Sequence, residues 1–520
     1  MGLPSRGAKD GPAMAGRPRP RVLARQMLSI RPSPALADFA LTTLTAVITA
    51  ASTLVVLRIL AVGLGAEGFA EYAVARRDIA MVAPLVVVSL DISLRRFLPA
   101  AGRDVAAYLA AALCLVSLGT LVLIGLVVVS PAQAAWLAFG DAGQRALLAA
   151  SLVFVGGYVL HVVTCSFLLG TQKVNRANMT TLVFSSVGSV AAAALTMGDA
   201  APVTILYMAA PLYASLFVLV PALRTVPKPA VGSTRSALRQ LVRFGLPRMP
   251  AGFLFGGLLA LGPVLAAHLG HLGDAGYLAM AQYLLRLLET AIVGFGLVAL
   301  SRMARLIDAG NEVMVAQQVR AILVFLFQVA APASVMIYLD ARHMVPFWFG
   351  PEYAPAIPLM ELAAVTLMPF LGYVMTYNIV DLLDRRPLNS FHLLVSLIVG
   401  AAASWSLYHS GFGTMGIAWG SALGFLVLGA LTARCLLNRC APIWSDFGVA
   451  IVTTWSALTL VIGVAVNSAL ARSGLSAGQR LAVCLLWQGA AWLVYIVILN
   501  HRGSVWILEL RKRVRRSRGQ

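Results

Sequence analysis

The chain has 520 residues, 60% of them hydrophobic and 12% charged, with a mean hydropathy of +0.85. A soluble chain of this length would divide into several domains, and this composition excludes that. The net charge of +20 does not point to nucleic acid, because the basic residues cluster at the borders of long apolar segments, where anionic headgroups attract them.

Residues 1–35 are rich in Arg, Pro, Gly and Ala and show no apolar periodicity, so a disordered basic tail is expected there. The first apolar run begins near Ala37 and continues at full spanning length, which fits a cleavable signal poorly. Runs of about 18 or more apolar residues then recur along the chain, each long enough to cross a hydrocarbon layer about 30 Å thick. Backbone groups in lipid must be satisfied within the segment, so these runs are helices. About fourteen spans are expected, at 36–62, 68–92, 104–129, 145–169, 177–197, 202–223, 247–268, 275–301, 317–338, 355–381, 387–408, 413–436, 445–466 and 480–500.

Lysine and arginine fall on one side of these spans. About 32 of the 40 lie in alternate connectors and the two termini, the pattern that marks cytoplasmic connectors. Arg145, Arg342, Arg472 and Arg480 fall in the opposite set, and Arg58, Arg76, Arg77 and Arg286 lie inside spans. An even number of crossings with both termini cytoplasmic follows. The connector around 224–248 holds Arg235, Arg239 and Arg243 at i, i+4 and i+8 among Leu238, Leu241, Val242 and Phe244, the spacing of an amphipathic helix in the interface.

A weak internal repeat divides the chain. Leu64-Gly65, Gly68-Phe69 and Tyr72-Ala73 around the second span have counterparts in Leu269-Gly270, Gly276-Tyr277 and Met280-Ala281 around the eighth. The fold class expected is therefore all-α integral membrane, with two six-helix lobes related by a pseudo-twofold axis plus two C-terminal helices. The divisions are a tail at 1–35, an N-lobe at 36–223, an amphipathic linker at 224–246, a C-lobe at 247–440, two further spans within 441–501 and a basic tail at 502–520.

Four stretches carry a family resemblance: Arg58 through Gly68 and on to Ser89–Leu98; Leu241–Pro247 with Gly276-Tyr277; Phe349-Gly350-Pro351-Glu352-Tyr353; and Gly411–Ala418. With these the chain resembles the multidrug/oligosaccharidyl-lipid/polysaccharide (MOP) exporter superfamily, and within it the polysaccharide branch of Wzx-type O-antigen flippases. The resemblance covers most of 36–440 and does not reach the last two spans. It implies MATE-like lobes that open alternately to each side without ATP hydrolysis. It also implies a substrate that is an oligosaccharide on undecaprenyl pyrophosphate, and a bacterial inner membrane location. Membrane lipids, a glycan polymerase and glycosyltransferases are the partners it suggests, in surface polysaccharide biosynthesis.

Charged groups inside a span cost at least about 2.5–3.5 kcal/mol each at mid-bilayer and normally face a cavity or a partner. Arg76, Arg77 and Asp78 lie about 8 to 10 residues past Gly68, roughly 12–15 Å deep at 1.5 Å per residue. Arg286 lies at a similar depth past Gly276 in the other lobe. Arg77, Arg286, Arg76 and Arg58 are thus the substrate-binding candidates, since guanidinium stays charged and grips phosphate through paired hydrogen bonds. Internal neutralisation is the alternative, because Arg286 and Glu289 are three apart on one helix face. Adjacent helical residues point about 100° apart, so Arg76 and Arg77 cannot both face a cavity squarely. Glu361, Glu289, Asp78 and Asp91 are the ion-coupling candidates. Asp91 has Arg95 close in sequence, whereas Glu361 has no basic neighbour there. Tyr373, Tyr377 and Asn378 combine rings and an amide suited to sugars or to helix packing.

No cofactor or metal site is expected. Cys435-x4-Cys440 lacks further ligands, and Gly411-x-Gly413-x-x-Gly416 follows no strand, so it is a turn and helix start rather than a dinucleotide site. A phosphate loop of the Gly-x4-Gly-Lys-Ser/Thr type is missing. A cation-coupled MATE-like exporter is the alternative function. Intramembrane charges, about four basic against about five acidic, do not decide between the two. A membrane polymerase or ligase needs catalytic outer loops, and the longest outer connectors offer Asp141, Asp340 and His343. The chain is therefore read as a transporter and not an enzyme.

Overall fold

The computed structural model describes residues 34–224, 232–270, 272–308, 312–383, 388–440 and 448–501. All but the last two residues of the expected tail at 1–35, residues 225–231 of the linker and the whole of 502–520 lie outside them. Among the described residues every regular element is helical.

Helix α1 runs from Pro34 to Val87 and contains the first two expected spans. Gly65 breaks it with φ 69° and ψ −177°, a conformation that glycine alone adopts readily. The expected connector is thus a one-residue joint. Span two also ends five residues early. Val88 and Ser89 adopt left-handed φ values of 48° and 54°, an uncommon choice for residues with a Cβ. The chain then turns into a separate short helix α2 (Leu90–Phe97).

Helices α3 (Val105–Val129), α5 (Arg145–Gly170), α6 (Val174–Leu195) and α7 (Ala201–Pro221) complete the first half. Between α3 and α5, where a connector was expected, lies a helix α4 (Pro131–Phe139) begun by a proline and ended by Gly140 with φ 73°. Helix α6 widens into a π stretch over Thr181–Val187, and its Gly188 lies against Pro211 of α7. Helix α5 is the pivot of this half and packs on α1, α3 and α7.

Past the linker come α8 (Ser233–Gly245), α9 (Met249–Leu269), α10 (Leu272–Asp308), α11 (Glu312–Trp348), α12 (Ile357–Leu383), α13 (Leu388–Leu407) and α14 (Gly413–Cys440). The linker helix α8 buries Ala237, Leu241 and Gly245 and exposes Arg235, Arg239 and Arg243. A Cβ on Gly245 would stand 2.1 Å from the Val88 carbonyl oxygen, so the linker backs directly onto the break in α1. Helix α12 packs on α10, α11 and α14, and α13 lies along α14. Glycines let those last two helices close up: a Cβ on Gly420 would meet the Ser404 nitrogen at 2.1 Å. Gly411 and Gly413, with φ 92° and 53°, form the turn between them.

Helices α15 (Val449–Arg472) and α16 (Ala477–His501) pack on α11. Their joint is polar at one level and aromatic at another. Gln488 donates to Asp340 at 2.9 Å, and Asn467 donates to the Leu339 carbonyl at 2.9 Å. Tyr495 donates to the Gln328 carbonyl at 2.9 Å and stacks on Trp455 at 5.5 Å. Large apolar side chains cover the outer faces, among them Val129, Phe217 and Leu486, each at least 75% exposed. Apolar exposure on that scale is stable in lipid and not in water. The chain is a multi-pass membrane protein.

Candidate functional site

A cavity of about 1080 Å³ lies between the two halves. One wall comes from the end of α1 with α2 and from α5, including Ala80, Pro84, Tyr158 and His161. The other comes from α9, α10, α12 and α13, including Phe255, Arg286, Tyr377 and Asn389. Arg95, Arg96 and Arg248 line the cavity, placing it toward the arginine-rich side of the molecule. Arg96 and Arg248 hold their guanidiniums 4.8 and 3.9 Å from the Phe244 ring, where the ring face attracts cations.

At the arginine-poor end the two halves are sealed together. Phe69 of α1 meets Phe349 and Tyr353 edge-on at 6.1 and 5.6 Å, and Tyr277 of α10 meets Tyr353 at 6.3 Å. Both aromatics of the internal repeat therefore converge on one tyrosine. Tyr353 donates to the Ala61 carbonyl at 3.0 Å, and Trp348 donates to the Leu54 carbonyl at 2.9 Å. Gly276 approaches so closely that an added Cβ would lie 2.6 Å from the Ala70 Cβ. Gly350, with φ 123°, makes the turn that aims Phe349 and Tyr353 into this seal. Helix α4 joins it through Gly140, which abuts the Ala267 carbonyl, and through Trp136 against His268 at 5.3 Å.

The sequence-expected residues divide between these regions. Arg286 and Glu289 line the cavity and pair with each other at 2.9 Å, leaving the arginine side chain 31% exposed. Asp91 also lines it. Arg77 does not. It is buried across the α1–α10 contact, donating to the Ala279 carbonyl at 3.2 Å and lying 4.4 Å over the Tyr283 ring. Arg76 turns the other way, 4.3 Å over Phe154 of α5. The expected meeting of Arg77 and Arg286 within one cavity is corrected accordingly: the two residues are on facing helices, but only Arg286 opens into the space.

Arg58 belongs to the seal, donating to the Phe347 and Trp348 carbonyls at 2.8 and 2.5 Å. These are the last carbonyls of α11, where the helix dipole favours a cation. Glu361 lies outside the cavity lining and accepts from Arg342 at 2.9 Å. Glu361 has no basic neighbour close in sequence; its partner stands on α11, nineteen residues earlier. Asp78 is buried, and neither carboxylate oxygen has a hydrogen-bond partner among the described residues. No cluster of metal-ligating side chains occurs among the described residues.

Several cavity residues were not singled out from the sequence. Arg95, Arg96 and Arg248 read as ordinary border arginines. His161, Cys165 and Thr181 form a small polar group on α5 and α6, with the cysteine sulfur 3.6 Å from each neighbour. A histidine and a cysteine at i, i+4 inside a span was the available signal. Asp381 and Asn389 sit at the ends of α12 and α13, where polar residues ordinarily face water.

The arrangement is an all-helical membrane fold of two bundles with a central cavity closed at one end, a fold shared with solved MATE transporters and with MurJ. No family model matches the chain, and no curated protein matches it. Solved structures do. A eukaryotic MATE transporter, AtDTX14, is 16% identical with a TM-score of 0.59, covering 78% of this chain and 98% of that one. An inward-facing multidrug resistance MATE family transporter of the MOP superfamily is 17% identical with a TM-score of 0.60, covering 75% and 94%. The lipid II flippase MurJ, in an inward closed conformation, is 13% identical with a TM-score of 0.56, covering 84% and 98%.

Proposed function

We propose that this chain moves an oligosaccharide linked to undecaprenyl pyrophosphate from the inner to the outer leaflet of the bacterial inner membrane, by alternating access, for surface polysaccharide synthesis. The arginine-rich side is then cytoplasmic, and the cavity is open to the leaflet where the substrate is made. The observation that carries this reading is the charge of the cavity. Its lining holds four arginines against Asp91, Glu289 and Asp381. A cavity selective for organic cations should be acidic, and this one is not. A diphosphate supplies the anion that guanidiniums grip in pairs. The volume of about 1080 Å³ lies at the upper end of the roughly 300–1,000 Å³ typical of small-molecule sites, enough for a diphosphate with its first sugars.

Arg286 is the deep contact in this scheme. Glu289 balances the Arg286 charge at 2.9 Å, and a pyrophosphate would compete for the guanidinium. Arg95, Arg96 and Arg248 at the mouth would attract the same group first. The cation-coupled exporter is the second reading, favoured by the buried Asp78 carboxylate without a partner among the described residues.

Purified protein in liposomes tests the choice. Lipid-linked oligosaccharide loaded in one leaflet should become accessible to an impermeant lectin at the other, and Arg286→Gln should slow this at least about tenfold, as expected for losing a charge-assisted contact. Efflux of a cationic dye with no movement of the lipid-linked sugar would overturn the proposal in favour of the exporter.

A further inference from the structure

The two walls of the cavity differ in chemistry. The first-half wall offers Ser89, Tyr158, His161, Ser166, Arg95 and Arg96. The second-half wall combines stacked rings with carboxamides, and its parts run in a continuous line. Arg286 lies 5.7 Å from the Phe255 centroid. Phe255 lies 5.3 Å from Tyr373, and Tyr373 stacks on Tyr377 at 5.7 Å with 27° between the planes. Beyond Tyr377 stand Asn378, Asp381 and Asn389, all lining the cavity.

Asn389 adds an unpartnered acceptor to this wall. It is 2% exposed and donates through Nδ2 to the Tyr377 carbonyl at 2.7 Å. Its Oδ1 has no donor among the described residues. An acceptor buried without a donor costs about 1–3 kcal/mol, and a hydroxyl from the cavity would satisfy it once the side chains covering it part.

We infer that the ladder Phe255–Tyr373–Tyr377 with Asn378, Asp381 and Asn389 is the glycan subsite, which reads the sugars next to a pyrophosphate held at Arg286. The inference rests on the lipid-linked oligosaccharide reading and adds to it the place and chemistry of saccharide recognition. Sugar rings present apolar C–H faces that lie flat on aromatic rings, and hydroxyls at their rims that need both donors and acceptors. Carboxamides supply both from one side chain, and a carboxylate supplies acceptors. A prenyl tail would leave these amides unpaired, at a desolvation cost. The line begins at the guanidinium, so the first sugar after the phosphates falls onto Phe255 and later sugars onto Tyr377 and the amides, with the buried Tyr373 bracing the two rings from between them. Asp381 and Asn378 thereby become specificity determinants rather than transport machinery.

Native mass spectrometry on the full chain in detergent tests this with two probes, undecaprenyl pyrophosphate and the same carrier bearing N-acetylglucosamine. Wild-type protein should hold the glycosylated probe about tenfold more tightly, the worth of one or two good hydrogen bonds. Asn378→Ala should erase that preference and leave the bare carrier unchanged, which also shows that the variant is folded. Tyr377→Phe removes only a hydroxyl and should narrow the preference partway. Arg286→Gln should weaken both probes alike. Equal binding of the two probes by wild type, or a preference that survives both wall variants, overturns the glycan subsite and leaves the transport reading standing if Arg286→Gln still weakens both. Binding of neither probe above neutral undecaprenol overturns both.

Discussion

Arg58 sits on the C-terminus of α11, its Nη1 2.8 Å from the Phe347 carbonyl oxygen. The same nitrogen reaches Trp348, and Tyr353 nearby ties the Phe349–Tyr353 turn to Ala61. A first-half helix is thereby latched to second-half elements at the arginine-poor end. Arg58→Gln should release the latch and favour the state open at that end. Hydrogen bonds to a charged group contribute about 1.5–3 kcal/mol, tenfold or more in the equilibrium. Cys165 lines the cavity and reports the change. With the other cysteines replaced by serine, its labelling by an impermeant maleimide from the arginine-rich side should slow at least about tenfold. Unchanged labelling would show that Arg58 does not hold the seal.

Gly276 offers a steric version of the same experiment. A Cβ there would lie 2.6 Å from Ala70 Cβ and 2.8 Å from its Cα, far inside contact distance, and both are parts of rigid helices. Gly276→Val should force α1 and α10 apart at the seal, with the same loss of Cys165 labelling. Gly273→Ala is the control, since nothing lies within 4 Å of its added Cβ. Labelling that falls for Gly273→Ala as well would assign the effect to helix damage rather than to the close approach.

The last two helices are docked by a polar joint that hydropathy could not foresee. Asp340 accepts from Gln488 at 2.9 Å inside the α11–α16 contact. Asp340→Asn retains an acceptor and should leave thermal stability in detergent near wild type. Asp340→Leu leaves the Gln488 amide only its longer 3.4 Å bond to the Met336 carbonyl and should cost about 1–3 kcal/mol, first seen as protease sensitivity of the turn between α15 and α16. Equal melting of the two variants would mean the joint contributes nothing.

Much of this fold was legible in the sequence because lipid imposes one rule on every span. Run length and arginine placement located the helices, and the Gly65 and Gly411 joints fall where glycine was visible. The break at Val88 and Ser89 was not legible, since neither residue type favours a left-handed backbone; the close approach of Gly245 from another helix accompanies it. That Arg77 and Arg286 stand on facing helices of the two halves was legible, because each follows a glycine of the internal repeat by nine or ten residues. Direction was not. One residue turns a helix by about 100°, so which of Arg76, Arg77 and Arg286 meets the cavity depends on how neighbouring helices seat. Glu361 shows the same limit, as its Arg342 partner stands on another helix. The cavity's aromatic ladder joins α9 to α12, which no local pattern announces.

Asp78 poses the sharpest question of stability against function. Its side chain is buried, and both oxygens are without hydrogen-bond partners among the described residues. A carboxyl group in that position is costly whether it is ionised or protonated. Leucine has the same branched arrangement of side-chain heavy atoms and no polar atoms. Asp78→Leu should therefore raise the unfolding free energy by about 1–3 kcal/mol, measured as a higher melting temperature or slower unfolding in detergent. A residue kept at such a cost is expected to serve activity, the usual trade between stability and function. As an ion-coupling residue, Asp78 should be needed for transport driven by a proton or cation gradient and not for equilibration without one. Asp78→Leu should then be more stable, equilibrate substrate normally, and fail to concentrate it against a gradient. A variant that is less stable would mean the carboxylate has partners after all. One that is more stable and still couples to the gradient would remove Asp78 from the transport cycle.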